Sequence, residues 1–211
     1  TDWQGEVMIK NAAAHNHNLS VTGGGERMNY YLSLNYSDQK GIIINNRNQS
    51  YRVRMNLDYE MNKYIKIGNN ATVSRQVDTD GNNGSNSLGG AIAASLRLLP
   101  NTSPYLASNV TGYNINYPTS GSMTPGPNAQ TVDDNFNNVA FTSRANKYSS
   151  DKYRIINNSF LEVSPIAGLK LRSQVGVDLF TDYSYQGLNL FHGDGYGTGT
   201  NYNATQNQLR L

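Results

Sequence analysis

The chain has 211 residues, a formal net charge of +2, no cysteine and 37% hydrophobic residues. The lack of cysteine excludes disulfides and thiolate metal sites, and no basic stripe interleaved with aromatic residues supports nucleic-acid binding. Charged residues make up only 15% of the chain and tyrosines number 15, which argues against charge-driven disorder, because such segments combine high net charge with few aromatic residues.

The start of the chain, residues 1–14, has apolar residues at helix-compatible spacing, and we expect a short helix or ordered loop there. No apolar run reaches the roughly 18 residues of a transmembrane helix. No signal peptide opens the chain, and its first residue is Thr1 rather than methionine. These features lead us to expect a fragment or a processed piece of a protein.

The first predicted hairpin joins strands at 17–22 and about 28–37 through the glycine-rich stretch 23–27. Glycine can adopt the positive φ that a tight hairpin turn requires. The second strand is strongly two-faced, because apolar residues and tyrosines occupy every second position from Met28 to Tyr36. Its other positions are mostly polar.

Two further hairpins follow the same alternating pattern, which is typical of strands with one apolar face. The second joins residues 50–61 and 65–76, and the third joins residues 152–163 and 169–185. The intervening residues 77–151 contain five of the six prolines and only one candidate helix, at 88–99. Residues 186–211 are rich in glycine, asparagine and tyrosine and are predicted to be a loop.

The connections are short within each predicted hairpin and long between hairpins. This asymmetry is typical of an antiparallel transmembrane β-barrel, whose strands need about 9–11 residues to span. About six strands cannot close such a barrel, which needs about eight. The predicted fold class is therefore all-β, an incomplete section of a transmembrane barrel. A soluble sandwich, with its apolar face buried against a second sheet, stays open as the alternative.

The barrel interpretation assigns an environment to each face of the sheet. The polar face lines the lumen, with Arg52, Arg54, Asp58, Lys66, Arg172 and Asp178. The apolar face contacts lipid, with Leu32, Leu34, Val53, Met55, Leu57, Leu171, Val175 and Val177. Tyrosines at the ends of the apolar face predict aromatic girdles, namely Tyr36, Tyr51, Tyr59 and Tyr183.

Three stretches in about residues 1–75 carry a family resemblance: TDWQGEV, NHNLSVTGGGERMNYYLSLNYSDQKGII and YRVRMNLDYEMNKYIKIGNNATVS. They resemble the SusC/RagA-like TonB-dependent transporters of Bacteroidetes outer membranes. The segment AIAASLRLLPNTSPY, residues 91–105, is similar to the family loop that follows the second hairpin. The chain departs from the family pattern at Tyr64, where Trp is frequent, and by a third glycine in the first turn.

The resemblance implies a very large barrel in the bacterial outer membrane, with an N-terminal plug domain and a TonB box. Such proteins import oligosaccharides or peptides beneath a SusD-like lipoprotein lid and draw energy through TonB. Neither plug nor TonB box is recognisable here, so residues 1–211 are expected to form part of one barrel domain, with 77–151 as a long extracellular loop.

No catalytic constellation is recognisable, so we expect no enzymatic activity. A glycan-active enzyme needs paired carboxylates, and the only adjacent pair, Asp133 and Asp134, lies in a predicted loop. His15 and His17 share a strand face but lack a third metal ligand. No cofactor is predicted, although the oxygen-rich stretch 78–86 can hold Ca²⁺ weakly without the terminal glutamate of an EF-hand.

Substrate contacts are expected from aromatic residues of the long loops, because aromatic rings stack on sugar faces. The candidates are Tyr105, Tyr113, Tyr117, Tyr185, Phe191 and Tyr196. The predicted function is TonB-dependent uptake of an oligosaccharide or peptide, with outer-membrane lipid as a further partner. The alternative is a soluble or surface-attached all-β glycan-binding module.

Overall fold

The computed structural model describes residues 1–80, 90–117, 137–195 and 200–211. Its strands are β1 (Ala14–Gly24), β2 (Met28–Lys40), β3 (Arg47–Asn62), β4 (Ile65–Asp80), β5 (Lys147–Ile166), β6 (Leu169–Leu188) and β7 (Thr200–Arg210). Its α-helices are α1 (Trp3–Val7), α2 (Ala91–Arg97) and α3 (Val139–Ala145).

All seven strands form one antiparallel sheet in the order β1-β2-β3-β4-β5-β6-β7, so each strand pairs with its neighbours in sequence. β1 and β7 are the two edges, and the described sheet is open. The predicted fold, an incomplete section of an antiparallel transmembrane β-barrel, is confirmed. Connections of two or three residues define the turn end of the sheet, at 25–27, 63–64 and 167–168, and the opposite end is the loop end.

The seventh strand was not predicted, because its sequence lacks apolar alternation. β7 pairs with the Asp178–Leu188 part of β6, which is the half nearest the loop end. At this height the face of β6 that carries Leu179 becomes polar or aromatic, and β7 accordingly presents Asn203, Thr205 and Asn207 there.

The other strands extend three to five residues further toward the loop end than the alternation predicted. Lys40 pairs with Arg47, and Arg47 pairs with Thr79. The strand pairing therefore continues past the last apolar residues, through residues that are polar on both faces of the sheet. The segment between β4 and β5 is therefore 81–146 rather than 77–151. The helix expected at 88–99 is α2.

The sheet register places the two predicted sets of residues on opposite faces. Leu34, Val53, Val73, Ile155 and Leu179 lie side by side across five strands, β2 to β6. We call this side the apolar face and the opposite side, which carries Arg52 and Arg154, the polar face. No second sheet packs on either face within the described residues.

Most of the buried apolar residues lie in a small helical cluster near the loop end, which we call the cap. Its core is Trp3, Val7, Ile43, Ala91, Ala94, Leu98, Val139 and Ala140. The indole Nε1 of Trp3 donates a hydrogen bond of 3.0 Å to the Leu99 carbonyl, and Asp2 and Asn138 cap α1 and α3 through their side chains.

Among the helices of the described segments, we found none with the length and apolar character needed to cross a membrane.

Candidate functional site

The apolar face is exposed across its middle. The side chains of Leu34, Val53, Val73, Ile155 and Leu179, which form one continuous row, are 40% to 48% exposed. A contiguous apolar surface of this kind marks contact with another apolar phase, since soluble proteins keep such patches small. An exposed apolar face of this kind, with no second protein layer on it in the described residues, is typical of the outer surface of a transmembrane β-barrel.

Tyrosines border this face at both heights. At the loop end, the rings of Tyr36 and Tyr51 are 5.0 Å apart and those of Tyr153 and Tyr183 are 6.3 Å apart. Tyr59 lies at the turn end of β3. The stretch from Tyr51 to Tyr59 is about 26 Å long at roughly 3.3 Å per residue. With the tilt of barrel strands it spans roughly 20 Å, close to the apolar band of such barrels.

Three of the polar residues on the apolar face, Asn69, Asn157 and Ser159, bind one another. Asn69 Nδ2 donates to Ser159 Oγ at 2.8 Å, and Ser159 Oγ donates to Asn157 Oδ1 at 3.0 Å. Internal pairing of this kind lowers the cost of placing polar groups where water is scarce.

The polar face carries an extended ion-pair and hydrogen-bond network. Asp78 accepts a bond of 2.9 Å from Lys152 Nζ and further bonds from Gln76 and Asn48. Arg154 binds Asp178 through Nε and Nη2 at 2.9 and 2.6 Å, in the bidentate geometry that carboxylates favour. The polar face therefore presents fixed charges of both signs.

The six predicted lumen residues all lie on this polar face, but they do not form one cluster. Lys66 pairs with Asp58 at 3.3 Å, and the Arg172 guanidinium lies 3.9 Å from the centroid of the Phe160 ring. In the part of the chain that the structure describes, Arg52 and Arg54 form no ion pair. Their charges are available to a solute or to solvent.

A cavity of about 590 Å³ lies at the loop end of the sheet. Its lining combines carboxylate, ammonium, amide, hydroxyl and aromatic groups, including Asp78, Lys152, Gln186, Tyr148 and Tyr202. Polar groups at fixed positions between aromatic rings suit a solute with many hydroxyl or amide groups. We call it the loop-end cavity.

The six predicted substrate contacts do not converge on this cavity. Tyr185 lines it, and its hydroxyl donates to Asn201 Oδ1 at 3.0 Å. Tyr117 packs edge-on against Phe191 at 4.8 Å, and Tyr113 packs against Phe141 at 5.2 Å. Three of the candidate contacts therefore also take part in loop packing, namely Tyr113, Tyr117 and Phe191.

Tyr105 lies at the edge of the cap, where its hydroxyl donates a 2.6 Å bond to Glu6 Oε2. This bond to the Glu6 carboxylate raises the pKa of Tyr105, because ionisation would place two negative charges together. The sixth candidate, Tyr196, lies outside the described residues.

Sequence inspection missed Tyr148 and Tyr202, which line the loop-end cavity together with Asp78 and Lys152. Both tyrosines lie at even-numbered positions, which in β5 and β7 belong to the polar face. This parity is the one feature of the sequence that indicates where their side chains lie. That signal does not identify them from the sequence alone, because the start of β5 and the whole of β7 lack the apolar alternation that marks a strand.

His15 and His17 lie together on β1, and their ring centroids are 5.9 Å apart. His15 Nε2 lies 3.8 Å from Asp38 Oδ2, and His17 stacks on Tyr36. The described ranges contain no cluster of three or more potential metal-ligating side chains. Of the predicted calcium-binding stretch 78–86, residues 81–86 lie outside the described residues, and Asp78 is held by Lys152.

These features define a class: one apolar, tyrosine-bordered face and one polar face on a single antiparallel sheet form a section of a transmembrane β-barrel wall. No family model matches the chain. It is 29% identical over 157 residues to TonB-dependent receptor P3 of Formosa agariphila, covering 72% of this chain and 15% of that protein. It is 28% identical over 119 residues to TonB-dependent receptor SusC of Bacteroides thetaiotaomicron, covering 55% of this chain and 12% of SusC.

The fold matches the solved RagAB peptide transporter with a TM-score of 0.70 and 19% identity, over 99% of this chain and 22% of the transporter chain. The chain is therefore similar in sequence to TonB-dependent receptors, SusC among them, and similar in fold to RagAB, so the predicted resemblance to the SusC/RagA-like transporters is confirmed. It spans less than a quarter of the length of these relatives.

Proposed function

We propose that this chain forms part of the barrel wall of an outer-membrane TonB-dependent transporter that imports a nutrient such as an oligosaccharide or a peptide. The observation that carries the proposal is the exposed, tyrosine-bordered apolar face on a sheet whose other face is charged. Its relatives are named TonB-dependent receptors, and we expect no enzymatic activity.

The loop-end cavity is the proposed place of substrate contact within this section. Lys152, Asp78 and Asn48 supply paired donors and acceptors, and Tyr148 and Tyr202 add ring faces. Sugar hydroxyls and peptide amides both need paired donors and acceptors, so either substrate class fits. From the family resemblance we also propose that import is coupled to TonB and that a SusD-like lipoprotein covers the barrel as a lid.

Uptake by the full-length receptor tests this function. Cells that express the receptor are given labelled oligosaccharides and peptides, with and without receptor deletion and collapse of the proton-motive force. We expect uptake of one substrate class to require both the receptor and the proton-motive force. Lys152→Met removes the cation of the cavity network and is expected to lower that uptake several-fold.

Lys66→Met is the matched control, because Lys66 lies on the same face in the Asp58 ion pair near the turn end. Its uptake is expected to equal that of the wild type. Uptake that is indifferent to receptor deletion would refute the transporter. Binding of a glycan by a detergent-free, soluble form of this section would instead support the alternative, an all-β binding module.

A further inference from the structure

In the described strands, charged residues on the apolar side of the sheet occur only toward the loop end. Counting alternate positions through the register, the charged ones in the described strands are Asp38, Lys40, Arg47, Arg75, Lys147 and Asp151. Arg75 lies level with Tyr51 and Tyr153. The other charged residues lie beyond Tyr51 and Tyr153, and Asp151 among them is level with Tyr183. The face thus changes from aliphatic to tyrosine to charged residues within one strand length.

The two carboxylates in this charged layer are each paired with an arginine. Arg47 binds Asp38 at 2.8 and 2.5 Å, and Arg75 binds Asp151 at 2.9 and 2.7 Å. Lys40 and Lys147 have no acidic partner in the described segments. Lys40 also lies directly opposite Arg47 in the ladder, and like charges in that position repel.

A second cavity, of about 490 Å³, lies beside these residues, and we call it the basic cavity. Its lining includes four cations, Lys40, Arg47, Arg144 and Lys147, and one carboxylate, Asp80. Asp80 and Tyr148 lie at polar-face positions. The basic cavity shares both residues, together with Arg47, with the loop-end cavity, so the two cavities adjoin at the loop end of the sheet.

Arg144 is held in the basic cavity chiefly by neutral groups. Its Nη1 donates to the Ala140 carbonyl at 2.8 Å and its Nη2 to the Glu6 carbonyl at 3.1 Å. The Glu6 carboxylate is 3.9 Å away. Arg144 is therefore well positioned while its charge is only partly compensated, which is the condition of an anion-binding arginine.

We infer that the basic cavity binds phosphate groups of lipid head groups in the leaflet that the long loops face. Three observations lead to this ligand: the cavity continues the lipid-facing side, it lies just beyond the tyrosine row, and it has unpaired positive charge. Tyrosine girdles mark the level of the membrane interface, and cations placed there attract anionic lipids. The inference rests on the proposed function, because it requires a membrane barrel.

The test uses the full-length receptor in detergent, with bis-phosphorylated lipid A as the probe and native mass spectrometry as the measurement. Each lysine near an anionic surface contributes about fivefold to binding, so Lys40→Gln combined with Lys147→Gln is expected to weaken retention about 30-fold. Arg52→Gln combined with Arg54→Gln is the matched control, since these cations lie on the polar face, and no change is expected.

Dephosphorylated lipid A is expected to show no difference between the wild type and the lysine variant. Equal retention of bis-phosphorylated lipid A by both proteins would overturn the inference. Lysine-dependent binding of inorganic phosphate with comparable affinity in the absence of lipid would assign the cavity to a soluble anion and overturn the lipid assignment.

A fluorophore at Val53→Cys, in a cysteine-free receptor, separates this failure from failure of the proposed function. Quenching of that fluorophore by brominated lipid keeps the membrane barrel, so that unchanged lipid A retention then overturns only the present inference. Absence of quenching overturns the membrane placement, and the proposed function with it.

Discussion

At the scale of single residues, the polar face contains a glycine that packs directly against an aromatic ring. Gly68 lies opposite Phe160 in the ladder, and a Cβ at Gly68 would overlap the ring atoms Cε1 and Cζ of Phe160. The Arg172 guanidinium lies over the same ring, 3.9 Å from its centroid. A glycine weakens a strand interior, and an aromatic side chain packed across it restores contacts that the glycine lacks.

Gly68→Ala is expected to displace the Phe160 ring and lower the free energy of unfolding by about 1–3 kcal/mol, as overpacking does in close-packed sites. Urea unfolding of the full-length receptor in lipid vesicles measures this change. Gly25→Ala is the control, because a Cβ there meets no atom within 4 Å. Equal unfolding midpoints for the two variants would show that Phe160 moves aside without cost.

At the scale of elements, each long strand separates two environments. In β3, Val53 and Met55 lie on the apolar face while Arg52 and Arg54 lie on the other. A lysine at the midplane of a barrel's lipid face costs about 2–4 kcal/mol. Val53 lies between the midplane and the tyrosine row, so Val53→Lys is expected to destabilise the receptor in lipid by about 2 kcal/mol, the lower end of that range, measured as the free energy of folding into vesicles.

Asn56→Lys is the matched control on the same strand, since Asn56 faces the polar side, where charges are already present. Its cost is expected to stay well below that of Val53→Lys. A similar cost for both variants would place water on both faces of β3 and favour a soluble sheet.

The sequence predicted those strands whose apolar face is continuous, because period-two alternation is a local signal. β2 and β3 were found in this way, and their turn-end boundaries are correct to within a residue. The alternation does not extend to β7 or to the outer ends of β4 and β5, because these segments carry mostly polar or aromatic residues on both faces and only isolated aliphatic ones such as Val77 and Leu209. Only pairing with a neighbouring strand identifies such segments, and that information is not local.

The loop-end cavity was largely unpredictable for the same reason. Asp78, Lys152 and Tyr202 come from three different strands, and only the register brings them together. The cap core was also missed, since Trp3, Ile43 and Val139 belong to three distant segments with few apolar residues each. Loop packing of this kind leaves no periodic pattern in the sequence.

At the scale of the whole molecule, the described chain consists of two structures that are stabilised differently. The sheet has no second layer on it in the described residues and depends on ladder hydrogen bonds and its surroundings. The cap has its own apolar core and connects to the sheet through the loop between β2 and β3. That loop is bonded to the cap by Ile9 N–H to the Ile42 carbonyl at 2.8 Å and by Asn45 Nδ2 to the Ser143 carbonyl at 2.5 Å. Such a unit can open locally while the strands stay paired.

Trp3→Ala tests this separation. Trp3 is 3% exposed and holds α1 against the segment after α2 through its bond to the Leu99 carbonyl. Truncating a buried tryptophan costs about 3–5 kcal/mol, which is large for a core of three short helices. Amide hydrogen exchange in α2 and α3 is expected to accelerate strongly, while the amides in the middle of β3 and β4 keep their protection.

Leu96→Ala is the control, because Leu96 is 64% exposed on α2 and should leave both regions unchanged. Faster exchange throughout the sheet in Trp3→Ala would mean that the cap and the strands unfold as one cooperative unit.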